Sequence, residues 1–306
     1  MRGYVATGQP AQTTVKKCTS CGATAEFPAG SISASCSYCT APLVDGERGE
    51  MAVDRVAPFR ITRSVAQQRL QEHLSGRFWA PSAIRRGVLQ DHRLRGVLVP
   101  FFAYTGVARS QYAAQVGMYY YRTETYRDSN GKTRTRTKRE TEWFSHQGSA
   151  VGRLQDHLVS ASKGLPEQES NDLEPFDLGH ALAFDRGLLA GWEAELPNID
   201  FARADHTARQ EVTGLESARI SRRLLPGDTG KVSNVNTNIT MEKRDVVLLP
   251  IWMASFRHGP KVYRQLVNGQ TGQVIGDTPV SAGKIALACL AATVIATILW
   301  LGMAQL

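Results

Sequence analysis

The sequence predicts an α+β protein with an N-terminal zinc ribbon and a single C-terminal transmembrane helix. Three observations lead to this class: two Cys-x-x-Cys pairs near the N-terminus, a body in which helical and strand periodicities alternate, and an apolar run near the end of the chain. The chain has 306 residues, of which 42% are hydrophobic, and a formal net charge of +8. This composition is typical of a folded protein that is attracted to anionic surfaces.

The first predicted element, residues 1–44, contains four cysteines with the spacing of a metal site. Cys18 and Cys21 form one pair, Cys36 and Cys39 form the other, and fourteen residues lie between the pairs. Each Cys-x-x-Cys turn directs two sulfurs towards one centre, so that four thiolates can surround Zn²⁺ tetrahedrally. Two disulfides are the rival interpretation, but the N-terminal residues have no apolar signal-peptide core that would direct the chain to an oxidising compartment.

We therefore predict one zinc ion with a structural role, because four protein ligands leave no open position for a reacting water. The segment between residues 18 and 44 contains no Lys or Arg. Binding to phosphates requires cations, so we expect a protein-binding or structural ribbon rather than one that binds nucleic acid.

A polar linker at residues 45–58 leads into a predicted α+β body at residues 59–276. Helical spacing of apolar residues begins at the cap Ser64, and Pro81 starts a second predicted helix. Three further helices are predicted in the middle of the body. Their apolar stripes are Val151, Leu154, Leu158 and Ala161, then Leu178, Ala181, Leu182, Leu188 and Leu189, then Phe201, Ala204, Ala208, Val212 and Leu215.

Strand patterns flank these helices and predict an antiparallel sheet. Residues 96–104 are a continuous apolar run, and residues 118–144 alternate around the turn Ser129-Asn130-Gly131, which is typical of a β-hairpin. Segments 97–117 and 247–269 are alike, since each has an apolar strand with Pro at its fourth position before a Tyr-containing strand that ends in Gly. They indicate either duplicated hairpins in one sheet or two amphipathic hairpins that are alike by chance.

The last predicted element is the uncharged run at residues 285–303, joined to the body by a tether at residues 277–284. A helix of this length spans about 28 Å, close to the thickness of the hydrocarbon core. Lys284 precedes the run and no basic residue follows it, which predicts a single-pass protein of the inner (cytoplasmic) membrane with its body in the cytoplasm. A buried core helix is the alternative.

Several segments carry a family resemblance. In this order, the ribbon and the segments APFRI (57–61), FWAP (78–81), GVLVPFF (96–102), LLPIWM (248–253) and VNGQTGQVIG (267–276) resemble bacterial membrane proteins with a transcription factor IIB-type zinc ribbon. The resemblance covers nearly all of the chain. It implies a non-enzymatic membrane component whose genes often accompany those of an SPFH-domain scaffold and of phage-shock-type envelope-stress proteins.

The residues themselves contain no catalytic motif. The sequence Gly131-Lys132-Thr133 imitates the end of a phosphate-binding loop, but Tyr126 occupies the position of the first required Gly. The acidic pair Glu193 and Glu195 lies in a polar context and is interpreted as solvated surface. We therefore predict that the protein is not an enzyme and has no small-molecule substrate.

A basic run at residues 132–139 is the main candidate for binding in the body. Strand alternation would place Lys132, Arg134, Arg136 and Lys138 on one face. This stripe could contact anionic lipid headgroups or nucleic acid phosphates, or it could protect an edge strand from aggregation.

Together these patterns predict a tail-anchored cytosolic adaptor that recruits protein partners at the membrane, in an envelope-stress response with an SPFH-domain scaffold. The alternative is a membrane-tethered zinc-ribbon protein that binds nucleic acid.

Overall fold

The computed structural model describes residues 13–28, 36–39, 41, 43–45, 53–77, 94–127, 129, 131–189, 192–258 and 261–303. The chain forms two compact units. Unit 1 contains Met1–Phe102, Val159–Asp200 and Asp245–Leu306, and unit 2 contains Ala103–Leu158 and Phe201–Arg244. The boundaries predicted at residues 44, 58, 276 and 284 all fall within unit 1 and stay predictions.

Strands dominate the described residues. They are β1 (Thr13–Cys18), β2 (Thr24–Pro28), β3 (Leu43–Asp45), β4 (Arg55–Val56), β5 (Leu94–Arg127), β6 (Thr133–Ser160), β7 (Leu182–Ala183), β8 (Glu193–Glu195), β9 (Thr229–His258), β10 (Lys261–Asn268) and β11 (Val274–Ile275). The described helices are α1 (Arg63–Ser75), α2 (Glu167–Leu173), α3 (Phe201–Arg219) and α4 (Ala282–Met303), with a 3₁₀ turn at Arg186–Leu189 and a π-helical turn at Ile220–Leu224.

The strands form one mixed sheet, and not the α+β arrangement with a C-terminal transmembrane helix that the sequence predicts. Its order is β11-β10-β9-β5-β8-β2-β1-β3, and β6 pairs with β5. Strand β4 runs parallel to β9, and β8 runs parallel to β5, whereas the other pairings with a described register are antiparallel. The predicted fold class is therefore wrong.

Two of the predicted helices are wrong, and both errors have one cause. Residues 151–160 belong to strand β6, although Val151, Leu154 and Leu158 recur at helical spacing. Residues 178–189 contain only the short strand β7 and the 3₁₀ turn. Pairing with neighbouring strands decides the backbone conformation here, because β-structure depends on cross-strand contacts that a local period does not record.

Two other predicted helices are confirmed. Helix α1 buries Ala66, Leu70 and Leu74, but its N-cap is Thr62, whose Oγ1 accepts a hydrogen bond from the Val65 amide at 3.4 Å, and not the predicted Ser64. Helix α3 buries the predicted stripe at Ala204, Ala208 and Val212. The helix predicted from Pro81 and the segment FWAP lie outside the described residues.

The hairpin predictions have mixed outcomes. Strands β5 and β6 pair and flank Ser129 and Gly131, which confirms the hairpin predicted at residues 118–144. Strands β9 and β10 also form an antiparallel pair. Segment 97–117, however, lies within the single strand β5, so the prediction of duplicated hairpins is wrong.

The prediction of a transmembrane helix is also wrong. No helix among the described residues is long and apolar enough to cross a bilayer. The finding therefore overturns the predicted single-pass placement in the inner membrane with a cytoplasmic body.

The core of unit 1 lies between α1 and the sheet. The buried face of α1 packs against Trp252, Ala254 and Val267, with Phe59 and Trp192 beside them. The rings of Phe59 and Trp192 stack with centroids 4.1 Å apart. In unit 2, Val212 of α3 packs against Ala108 and Ile239.

Candidate metal centre

The four cysteines of the predicted ribbon lie on two tight turns. The first turn follows β1, where the Cys18 amide donates to the Ala23 carbonyl at 2.7 Å and the Gly22 amide donates to the Cys18 carbonyl at 3.0 Å. Gly22 has a φ of +79°, a conformation that a side chain disfavours. In the second turn, the Cys36 amide donates to the Ala41 carbonyl at 2.8 Å. Backbone hydrogen bonds to the first cysteine therefore close both turns.

The sulfur atoms have the separations of a metal site. Sγ of Cys18 lies 3.5 Å from Sγ of Cys39, Sγ of Cys21 lies 3.5 Å from Sγ of Cys36, and all four lie within 4.8 Å of one another. Four sulfurs placed tetrahedrally at 2.3 Å from one zinc would be about 3.8 Å apart. A disulfide requires about 2.05 Å, and these cysteines are free. The four residues could therefore hold one metal ion.

Hydrogen bonds between the thiols and burial shift the pKa values of three of the four cysteines in different directions. A hydrogen bond from Cys36 lowers the pKa of Cys21 to about 5. The same hydrogen bond, followed by burial, raises the pKa of Cys36 far above its usual range, and burial raises the pKa of Cys39. Metal ligation by all four sulfurs requires the loss of these protons, so that affinity for a metal must increase with pH.

Tyr38 anchors the second turn to the rest of unit 1. Its side chain is 4% exposed, and its hydroxyl donates a hydrogen bond to Oε2 of Glu195. The other carboxylate oxygen accepts from Ser162 Oγ at 2.7 Å and from Asn198 Nδ2 at 3.1 Å. Burial raises the pKa of Glu195 to about 7, and it also raises the pKa of Tyr38 well above its usual range. A buried carboxyl group with three donors is therefore part of this contact.

Further hydrogen bonds hold the same turn. Ser255 Oγ donates to the carbonyls of Ser37 and Tyr38 at 2.6 and 3.1 Å. Ser37 Oγ donates to Glu193 at 2.7 Å. Strand β2 also pairs with β8, placing Ala25 opposite Glu195. The ribbon is therefore attached to the sheet by backbone and side-chain contacts on both sides of the cysteines.

Sequence reasoning located the four cysteines but missed this anchor. The sequence indicated that Glu195 lies on the solvated surface. Its side chain is 1% exposed, so that interpretation is wrong. No spacing links Tyr38 and Ser162 to each other or to the segment that contains Glu195 and Asn198. The available signal was a tyrosine between two metal ligands, which is too common to be specific.

Arg134, Arg136 and Lys138 of the predicted basic stripe lie on β6, and Lys132 directly precedes this strand. All four side chains are exposed, and acidic groups on the β5–β6 hairpin contact part of the stripe. Arg136 forms an ion pair with Glu124 at 3.1 Å, and Lys138 lies 3.9 Å from Glu124 and 3.5 Å from Glu140. Lys132 and Arg134 are the other members of the stripe. Its predicted binding to lipid headgroups or nucleic acid stays a prediction.

Comparison with known proteins gives one distant relative. Over 247 residues the chain is 25% identical to the protein named Uncharacterized protein YdjG of Bacillus subtilis (strain 168), and this match covers 80% of the chain and 69% of that protein. No protein-family model and no solved structure matches the chain. The function must therefore be inferred from the cysteine centre and its surroundings.

Proposed function

We propose that this protein is a non-enzymatic adaptor in which one structural Zn²⁺ ion fixes the N-terminal ribbon within a protein-binding scaffold. Four thiolates fill a tetrahedral coordination sphere, so that no position is open for a substrate or a reacting water. The free energy of zinc binding, roughly 10 to 16 kcal/mol, is sufficient to fold small zinc peptides. It is therefore also sufficient for a ribbon that is too short to bury a core of its own.

The attachment of the metal-bearing turn to the sheet is the observation that carries this proposal. Tyr38 lies between Cys36 and Cys39, and its buried hydroxyl contacts Glu195 of β8. A metal that fixes both cysteines also fixes the backbone between them, and hence this contact. The ion would then hold the ribbon in one position relative to the neighbouring strands, as a scaffold requires.

The choice of zinc follows from the donors. Tetrahedral sites with four sulfur ligands are typical of zinc and of iron, and zinc, which has no redox chemistry, suits a structural role. The resemblance to bacterial proteins with a transcription factor IIB-type ribbon favours an SPFH-domain or phage-shock-type protein as the partner, and we include that partner class in the proposal.

Metal content tests the centre. We expect about one zinc per chain in full-length protein purified without chelator, measured by elemental mass spectrometry. Cys36→Ser should lose the metal. Cys289→Ser is the matched control, because Cys289 lies on α4 and is not in the cluster. Iron in place of zinc, or metal that remains in Cys36→Ser, would contradict the proposal.

Partner binding tests the adaptor. Full-length protein, Cys36→Ser and Cys289→Ser are each used to capture proteins from extract, and every candidate is then tested again with purified components. We expect a partner that binds full-length protein and Cys289→Ser but not Cys36→Ser. A partner bound equally by all three proteins would show that the metal centre has no part in recognition.

A further inference from the structure

A cleft of about 910 Å³ opens at the edge of the sheet in unit 1. This volume lies in the range of ligand-binding pockets. Residues from β10, β11, α1 and α2 line the cleft, and Tyr38 and Cys39 of the metal centre reach it. The cleft therefore lies next to the ribbon that the metal would fix.

One wall of the cleft is a strand edge that β11 leaves open. Strand β11 pairs only with Leu266 and Val267 of β10. After Ile275, Gly276 has a φ of +139° and turns the chain, and Gln265 Nε2 then donates to the Asp277 carbonyl at 2.8 Å. Among the described residues, no strand pairs with Val262 on this side of β10.

The hydrogen-bond pattern shows which backbone groups face the cleft. The Asn268 amide donates to Gln273 on the β11 side, whereas the Gly269 amide donates to Pro250 on the β9 side, each at 2.8 Å. Backbone groups alternate between the two sides of a strand. The N–H and C=O of Val262, six residues before Asn268, therefore point to the β11 side and into the open edge.

Helices border this edge on both faces of the sheet. Helix α1 packs on the face that contains Val267, and His73 and Arg77 at its C-terminal end line the cleft. Helix α2 lies on the other face, where Glu169 pairs with Arg264 at 2.7 Å and Leu173 accepts a hydrogen bond from Asn268. Side chains at odd and even positions of β10 point to opposite faces, which places the open edge between the two helices.

Charged side chains of both signs line the cleft. Arg264 and Glu169 form an ion pair, and Asp172 accepts from Gln168 at 3.1 Å. Arg77 contacts His73, and Lys261 lies over the ring of Tyr263. Within the described part of the chain, none of Arg77, Lys261, Asp172 and Asp277 forms an ion pair. Lys261 directly precedes Val262, so this cation lies next to the open edge.

We propose that the open edge at Val262 binds an extended peptide segment of a partner protein as an added strand, with an acidic side chain of that segment contacting Lys261 and Arg77. Strand addition uses backbone hydrogen bonds for affinity and side-chain pockets for specificity, which matches an open edge at the base of a cleft. This inference rests on the proposed adaptor function and names how its partner would bind.

The test begins with a selection of short random displayed peptides against the full-length protein. We expect enriched peptides to alternate apolar and polar residues and to contain an acidic residue. One enriched peptide is then labelled, and its affinity is measured by fluorescence anisotropy. The same peptide with N-methyl groups on alternate backbone amides should bind about tenfold more weakly or not at all, since it cannot complete a strand ladder.

Two variants of the protein locate the binding site. Val262→Pro removes only an N–H that faces the cleft, so β9 pairing should persist while peptide affinity falls about tenfold. The double variant Arg77→Glu and Lys261→Glu should also lose affinity. Arg222→Glu with Arg223→Glu is its charge-matched control, because these exposed arginines lie in unit 2. Circular dichroism checks that each variant is folded.

The outcomes separate this inference from the proposed function. If enriched peptides bind Val262→Pro and the cleft variant as well as they bind the unmodified protein, or if no peptide is enriched, strand addition at this edge is wrong. The adaptor proposal would then still be decided by its own experiment, which asks whether partner capture is lost in Cys36→Ser.

Discussion

Gly22 shows how one residue serves the cysteine centre. It follows Cys21 directly, its φ is +79°, and its amide donates to the Cys18 carbonyl. A Cβ at this position would contact only the side chain of Lys163, at 3.5 Å, so space does not exclude a larger residue. The left-handed backbone conformation is what favours glycine here.

We predict that Gly22→Ala weakens zinc binding although all four ligands remain. The substitution should cost roughly 1 kcal/mol of turn stability and lower zinc affinity severalfold in competition with a chelator. Gly131→Ala is the control, since Gly131 also has a positive φ, +75°, with open space around it, but lies in the β5–β6 hairpin. Equal zinc affinities for the two variants would contradict this role of the turn.

At the scale of elements, strand β2 connects the ribbon to the larger sheet. It pairs with β1 on one side and with β8 on the other, where Ala25 lies opposite Glu195. The Leu196 amide also donates to the Thr24 carbonyl at 2.8 Å. Strands this short are marginal without further support. The metal centre at the ends of β1 and β2 would supply that support.

Removal of the metal should therefore loosen specific strands. We predict that a chelator accelerates amide hydrogen exchange in β1, β2 and β8, because local opening needs less free energy once the turns are released. Helix α3 of unit 2 is the internal control, and its exchange should change little. The measurement is hydrogen–deuterium exchange followed by mass spectrometry. Faster exchange in α3 to the same extent would show that the metal supports the chain as a whole instead.

At the scale of the whole molecule, each unit is assembled from segments that are distant in sequence. Unit 1 combines three segments and unit 2 combines two. The buried contact of Glu195 with Tyr38, Ser162 and Asn198 joins separate parts of unit 1. The protonation of this one carboxyl group should therefore affect the stability of the unit.

We predict that Glu195 makes stability decrease as pH rises. Its pKa is about 7 in the folded protein against an ordinary value of 4.5, so the folded state holds an extra proton between these values. This stabilisation is complete below pH 4.5 and is lost as pH rises through 7. The unmodified protein should therefore lose roughly 2 to 3 kcal/mol of free energy of unfolding from this group between pH 5 and pH 8. Glu195→Gln should lack this loss.

Urea unfolding with saturating zinc at both pH values checks this prediction. Glu142→Gln, which changes an exposed carboxylate in unit 2, should follow the unmodified protein. If Glu195→Gln shows the same pH dependence as the unmodified protein, the carboxyl group of Glu195 does not titrate as burial implies.

The sequence by itself determined the features whose cause is local. The Cys-x-x-Cys spacing predicted the four cysteines that come together, and helical periodicity predicted α1 and α3. Alternation around Ser129 and Gly131 predicted the β5–β6 hairpin. In each of these cases a turn or a repeat within a short segment fixes the geometry, so neighbouring residues contain the necessary information.

Only the tertiary structure decided the features that depend on distant partners. Residues 151–160 have the spacing of a helix but form part of β6, and segment 97–117 continues as one strand where a hairpin was predicted. Glu195 is buried because Tyr38, Ser162 and Asn198 surround it. Strand pairing and the solvation of a carboxyl group are set by residues far away in the chain, and a local pattern contains no record of them.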